Sequence, residues 1–177
     1  MRFIVGDIYV NKPDRSLAFQ GIHQRILSLD SRLKDTTIRA YSIQMEKARP
    51  MPRQVIATEN APAAVGAYSQ GIIAGGFVFT AGQIPLIPGT SNLREGGIPA
   101  QTRQVMNNIA AVLEAAGSGM DQVVKTTVFL ADINDFAEFN AVYAEFFPQA
   151  PPARTTVQAG GLPVGALIEI EAVALLG

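Results

Sequence analysis

The sequence predicts a domain of mixed α and β structure in which two helices cross one face of a single shared sheet. Three observations predict it. Two β-rich runs flank Gly75-Gly76, a strong hairpin signal. Two stretches of helical period each stand between strand-like segments. The last strand-like run sets Glu169 and Glu171 out of phase with Ile168, Ile170, Ala172 and Ala174, as a sheet with one covered face requires.

The elements follow in order. Val55 to Thr58 reads as a short strand, and ENAPAAVGAYSQG after it as a loop ending in Tyr68-Ser69-Gln70-Gly71. GIIAGGFVFTAGQIP supplies two strands around Gly75-Gly76. Pro85 to Pro99, rich in proline and glycine, reads as a loop. From Ala100 the period changes: Val105, Ile109, Val112 and Ala116 fall on one helical face, and Gly117 stops the helix. Val123 to Leu130 is β-branched and bounded by loops, hence a strand. Asp132 to Asp135 offers capping side chains to a second helix, which gathers Phe136, Phe139, Tyr143 and Phe146-Phe147 largely on one side before Pro148 ends it. Arg154–Gln158 and Leu167–Leu176 are the final strands, and Gly160-Gly161 between them reads as a second hairpin turn.

This order, β-β-β-α-β-α-β-β, lets each helix cross between two strands on the same face. Two helices leave the other face uncovered. Glu169, Glu171 and Val173 point off that face, which makes it wet or interfacial, and its apolar residues invite closure into a ring of subunits.

Composition narrows the chemistry. At 177 residues and 48% apolar, the chain has material for one domain with a real core. No apolar run approaches the ~18 residues that would span a bilayer, so no membrane partner is expected. There is no cysteine, and the single histidine is His23. Disulfides, thiolate nucleophiles and cysteine metal sites are therefore excluded. From Gln54 onward no imidazole is available as base or zinc ligand, and proton chemistry must use carboxylates, tyrosine, lysine, backbone groups or water. Phosphate loops, dinucleotide fingerprints and metal-ligand clusters are absent from the sequence pattern, so no cofactor is expected.

Charge divides the chain. Residues 1–53 carry ten Lys/Arg against five Asp/Glu, and residues 54–177 carry four against ten. The shift marks a boundary near Arg49 to Gln54. Residues 1–53 are expected to be an extension, poorly ordered or outside the working protein, since Met45 and Met51 both precede the patterned region. An Arg-rich targeting segment and an ordered extension are the other readings, although five acids argue against a mitochondrial type. The expected setting is cytoplasmic, or an organelle if those residues are a targeting segment. The body, 54–177, is too acidic to favour nucleic acid.

Within the body Arg154 stands out as the only charged residue between Glu145 and Glu169. An isolated guanidinium beside Pro151-Pro152 is a candidate fork for a small carboxylate; the plainer reading is an ion pair with Glu169 or Glu171. Of those two glutamates, one is a candidate for orienting or deprotonating water; the plainer reading is a solvated pair. Tyr68 in its glycine-flanked loop is a hydrogen-bond donor or a packing residue. Asn140 is a polar amide on a phenylalanine-lined helix and needs a partner. Gly82 permits close approach of backbone N–H to a bound group.

IATENAPAAVGAYSQG, TAGQIP, AAGSGMDQVVKTTVFLADINDFAEFNAVYAEFF, PPARTTVQ and GLPVGALIEIEAVA, in this order and spacing, resemble the RidA family of enamine/imine deaminases. The similarity covers about Val55 to Leu175. It implies a chorismate-mutase-like α+β fold and a homotrimer whose uncovered sheet faces meet around a central barrel, with active sites in clefts between subunits. It further implies that Arg154 grips the substrate carboxylate, Tyr68 lines the cleft and Glu169 stands near the attacking water, with Gly82 and Asn140 lining or supporting the pocket. The implied substrates are 2-aminoacrylate and 2-aminocrotonate as their imines, 2-iminopropanoate and 2-iminobutanoate. One departure is Ala81, where the family usually has serine; another is Thr156, where cysteine is frequent. Rival readings are a non-catalytic carboxylate-binding or chaperone-like trimer, a ribonuclease-type activity, against which the acidic, histidine-free body argues, and a chorismate mutase, which needs more cationic groups.

Overall fold

A computed structural model of the chain describes residues 52–177. The predicted 1–53 extension lies outside the described residues except for its last two. Six strands are present among the described residues: β1 (Gln54–Ile56), β2 (Gly71–Ala74), β3 (Phe77–Thr80), β4 (Val123–Leu130), β5 (Ala153–Gln158) and β6 (Ile168–Leu175). Helix α1 (Gly97–Ala115) joins β3 to β4, and α2 (Phe136–Glu145) joins β4 to β5. The strands form one sheet in the order β1-β2-β3-β6-β4-β5. Only β4 and β5 pair in parallel; the other neighbours are antiparallel. The element order and the single mixed sheet are those the sequence predicts.

Three local departures have simple causes. Helix α1 begins at Gly97, earlier than the predicted Ala100. Pro99 therefore falls in the first turn, where N–H groups have no intrahelical partner and a proline costs nothing. Asp132 does cap, but it caps a 3₁₀ turn, Ile133–Asp135, through a 2.9 Å bond from the Asn134 N–H, and α2 grows from that turn. Gly160-Gly161 is not a hairpin turn. β5 and β6 lie on opposite sides of β4, so the segment between them must pass over a strand rather than fold back on its neighbour. Gly75-Gly76, in contrast, is a tight hairpin turn with φ of 61° and 82°, a conformation that excludes most other residues.

Both helices cover the same sheet face. Ile168, Ile170, Ala172 and Ala174 of β6, Val128 and Leu130 of β4 and Val78 of β3 are buried there against Val105, Ile109, Val112 and Leu113 of α1 and Phe139 and Tyr143 of α2. The opposite face has no cover among the described residues. Phe77, Phe79, Val157 and Leu175 are exposed on it, beside Glu171 and the half-buried Glu169. An uncovered sheet carrying two phenylalanines is an apolar patch of the kind that marks an association surface. Among the described residues no helix is long and apolar enough to cross a membrane.

Candidate active site

A cleft of about 490 Å³ opens beside β6 on the uncovered face and is lined mostly by apolar groups. Its polar members include three sequence-predicted residues: Tyr68, Gly82 and Glu169. Each arrives by a different route. Glu169 is the first outward-pointing residue of β6, flanked by the fully buried Ile168 and Ile170. Gly82 is brought against it by a two-way bridge just beyond β3, in which Gln83 N–H donates to Ile170 O at 2.8 Å and Ile170 N–H to Gln83 O at 3.1 Å. The approach is so close that a Cβ on residue 82 would run into Glu169 Oε1 and lie 2.8 Å from its Cδ. Only glycine fits there without moving the carboxylate. The amides of Ala81 and Gln83 both donate to backbone carbonyls; that of Gly82 donates to none among the described residues.

Tyr68 comes from the loop between β1 and β2, and it is exposed rather than packed. That loop is held by Gln70, a role the sequence did not reveal. Its buried amide donates to the carbonyls of Thr58 (3.0 Å), Ala61 (3.2 Å) and Pro62 (2.7 Å), and its Oε1 accepts from Thr58 N–H at 2.6 Å. A glutamine is suited to this because one planar group supplies donors and acceptor together. A similar device fixes the far wall: Asn108 of α1 donates to Ile84 O (3.1 Å) and Leu86 O (3.0 Å). Neither amide has a periodic signal in sequence that separates it from a surface residue.

Electrostatics make Glu169 a weaker acid than a free glutamate. Partial burial, and secondarily the like charge of Glu171, push its pKa above the usual carboxylate range. A carboxylate of raised pKa in a cleft is a better proton acceptor than one in bulk water.

Arg154 and Asn140 do not line this cleft. Arg154 is on β5, the sheet edge, in register with Thr126, and it faces the helices. Its guanidinium carbon stands 4.7 Å from the ring centroid of Tyr143, 5.1 Å from Phe139 and 5.4 Å from Phe136. The predicted aromatic stripe of α2 is thus core on one side and a shelf for a cation on the other. Neither glutamate pairs with Arg154: the salt bridge among the described residues joins Arg103 to Glu145 at 2.8 Å. Three ring faces hold the guanidinium without neutralising it, at about 0.5–1 kcal/mol each for exposed geometry. Tyr143 bonds Thr126 through its hydroxyl at 2.8 Å, and burial raises its pKa against the opposing pull of that bond and of Arg154. Thr156, two residues along the same face of β5, keeps a buried hydroxyl with no partner among the described residues. Asn140, one turn from both Phe136 and Tyr143, has no side-chain hydrogen bond among them either. Among the described residues, Arg154 and Thr156 thus set a guanidinium without an ion-pair partner and an unpartnered hydroxyl on one face of the edge strand β5.

The sequence-predicted site therefore divides in two. Tyr68, Gly82 and Glu169 meet in one cleft, whereas Arg154 and Asn140 sit across the sheet from it.

Comparison with known proteins shows the family to which the chain belongs. The family model described as Endoribonuclease L-PSP matches residues 58–176. "RutC family protein PH0854" of Pyrococcus horikoshii is 55% identical over 122 residues, 69% of this chain and 97% of that protein. The "2-iminobutanoate/2-iminopropanoate deaminase" of Rattus norvegicus is 45% identical over 125 residues, 71% of this chain and 91% of that protein. Among solved structures, E. coli TdcF with bound serine superposes with a TM-score of 0.67 at 40% identity, covering 70% of this chain and 99% of that one.

Proposed function

Because this chain belongs to the Endoribonuclease L-PSP family, some of whose members are named as reactive intermediate deaminases, we propose that it hydrolyses short 2-imino acids to 2-oxo acids and ammonia. The observation that carries the reading is the Glu169 carboxylate, seated flush against Gly82, whose amide donates to no backbone carbonyl among the described residues, in a mostly apolar cleft that raises the carboxyl's pKa.

The substrates are 2-iminopropanoate and 2-iminobutanoate, in equilibrium with their enamine tautomers. Such imines are electrophilic at C2 and hydrolyse unaided, so a modest acceleration suffices and neither histidine, cysteine nor metal is needed. Glu169 accepts a proton from water as the water oxygen bonds to C2 and the C=N π pair moves to nitrogen, and Glu169 then returns that proton to the nitrogen. The carbinolamine then loses its C–N bond, releasing ammonia and the 2-oxo acid. The Gly82 amide and the Tyr68 hydroxyl are the donors available to the polar atoms at C2.

The carboxylate end requires a cation, and among the described residues Arg154 is the one whose charge stands unneutralised over an aromatic shelf. Since it lies on the helix side of β5, it serves the cleft of a second copy. A homotrimer closed through the open faces that carry Phe77, Phe79 and Leu175 supplies that geometry, with Asn140 supporting the partner subunit's cleft. The serine complex of TdcF, an amino acid bound to a relative, agrees with a carboxylate site.

The test is the rate of ammonia release from 2-iminopropanoate made in place by a serine dehydratase. The protein is expected to accelerate release over buffer, and Arg154→Ala to lose about 100-fold or more in kcat/KM, as a lost bidentate anchor should. Wild-type protein no faster than buffer, while still binding pyruvate, would point to a carboxylate-binding protein and refute the deaminase reading.

A further inference from the structure

Val164 is the one non-glycine residue among the described residues with positive φ (φ 51°, ψ 22°). A β-branched side chain resists this left-handed conformation, because its two γ-carbons crowd the following carbonyl. Its neighbours impose it. Pro163 fixes the entry, Gly165 exits at φ 78°, and Ala166 N–H closes the turn onto Pro163 O at 3.0 Å. Glycine or asparagine would occupy the same turn without strain. Folding therefore gains nothing from a valine, and neither does the core, since the side chain is 71% exposed.

What the isopropyl group does touch is the cleft. Val164 and Pro163 line it together with Tyr68, Gly82 and Glu169, and Val164 also borders the neighbouring depression that runs along Asn92 to Glu95. It thus stands on the lip between the cleft and open surface. The turn is also rigidly tied to the chemistry. Ala166 is buried, Leu167 N–H donates to Gln101 Oε1 at 2.9 Å, and β6 with Glu169 begins immediately after. Strain held in place at such a point is a feature of ligand-contacting turns.

We infer that Val164 is a specificity-determining residue: the strained turn holds its isopropyl group at the mouth of the cleft, against the side chain of a bound 2-imino acid. The volume of the cleft, about 490 Å³, far exceeds a methyl side chain, and Ala81, Ile84 and Leu86 make its inner wall apolar. Imino acids with branched apolar chains of four carbons fill that space and reach Val164; the methyl compound does not. The inference deepens the deaminase reading and rests on it for the substrate class.

The experiment compares wild type with Val164→Gly and Val164→Asn, both of which fit a left-handed turn. Imines of leucine and alanine are generated in place by an amino-acid oxidase, and the acceleration of their decay is followed. In parallel, binding of the stable acids 4-methyl-2-oxopentanoate and pyruvate is titrated calorimetrically. In both variants the ratio of kcat/KM for the branched over the methyl substrate is expected to fall by about fourfold or more, the equivalent of one buried methylene. The ratio of oxo-acid affinities falls with it, while the thermal midpoint stays level or rises as strain is released. Ratios unchanged in both assays overturn the inference and leave the deaminase reading standing. If wild type turns over neither imine but the variants still lose selectivity for the branched oxo acid, the deaminase reading falls and the role of Val164 in binding stands.

Discussion

Replacing Gly82 by alanine is the sharpest test of the cleft. The backbone at residue 82 is open to any amino acid, because its φ is not in the left-handed region, so the substitution adds a methyl group and nothing else. That methyl would lie against Glu169 Oε1, with the carboxylate carbon at 2.8 Å. Ordinary van der Waals contact begins near 3.4 Å. The carbon must therefore retreat by about half an ångström and its inner oxygen by the order of 1 Å, since the side chain pivots from a β6 backbone locked between Ile168 and Ile170. A displacement of about 1 Å at a group that handles the proton costs on the order of 100-fold in rate. Stability should barely change, because Glu169 is only half-buried and can swing along the open face. The assay is ammonia release from freshly generated 2-iminopropanoate, with the unfolding midpoint as control. The double variant Gly82→Ala/Glu169→Gln should be no slower than Glu169→Gln alone, because both changes disable one group. Wild-type turnover in Gly82→Ala, or losses that add in the double variant, would refute the reasoning.

The raised pKa of Glu169 sets a pH dependence. Turnover needs the carboxylate ionised, so kcat/KM should fall on the acid side through a pKa above the usual range. Glu171→Gln, by removing the like charge, should move that limb to lower pH, while a limb unmoved in Glu171→Gln would assign it elsewhere. The stability effect has the opposite sense. The native state holds this proton more tightly than the unfolded chain, so the contribution is full below the unfolded pKa and is lost as pH rises through the folded one; Glu169→Gln should flatten it in urea titrations across that window. Gln70→Leu leaves three carbonyls and one amide without partners, and should cost about 2–4 kcal/mol in urea unfolding; a loss under about 0.5 kcal/mol would mean the loop does not depend on this clamp. If the wild type sediments as the proposed trimer, Phe79→Asp, which places a charge on the open face, should reduce the sedimenting mass to that of one folded chain, whereas a trimer intact in the variant would show that this face is not the contact.

Much of this molecule is written in local pattern. The alternation of β6 told which residues are buried and which way Glu169 and Glu171 point, because a strand has only two faces. The Gly75-Gly76 hairpin was legible for the same reason: its backbone demands leave few alternatives. Gly160-Gly161 misled because a glycine pair states that the chain turns, not which strand it turns towards, and β4 lies between the two strands it connects. Candidate residues were legible by type, since a histidine-free, cysteine-free body leaves few groups able to move a proton. Their grouping was not. Whether Arg154 pairs with Glu169 depends on the register of β5 and β6 on β4, and that register, Arg154 opposite Thr126 and Glu169 opposite Phe129, puts the two on opposite faces. Gln70 and Asn108 were invisible because each acts through partners 8 to 24 residues away along the chain, and the angle of Val164 because a valine gives no sign of a left-handed turn.

The division of charged groups between the two sides of the sheet has a kinetic corollary. Packed sheet layers are about 10 Å deep, and an acid of six heavy atoms cannot reach through one. No such molecule can touch Arg154 and Glu169 of the same copy at once, so chemistry that uses both is an encounter between copies. On the proposed function, specific activity is expected to depend on dilution, holding while assemblies persist and dropping steeply once they fall apart. Two crippled versions, one lacking the guanidinium and the other the carboxylate, would repair each other when mixed and reassembled.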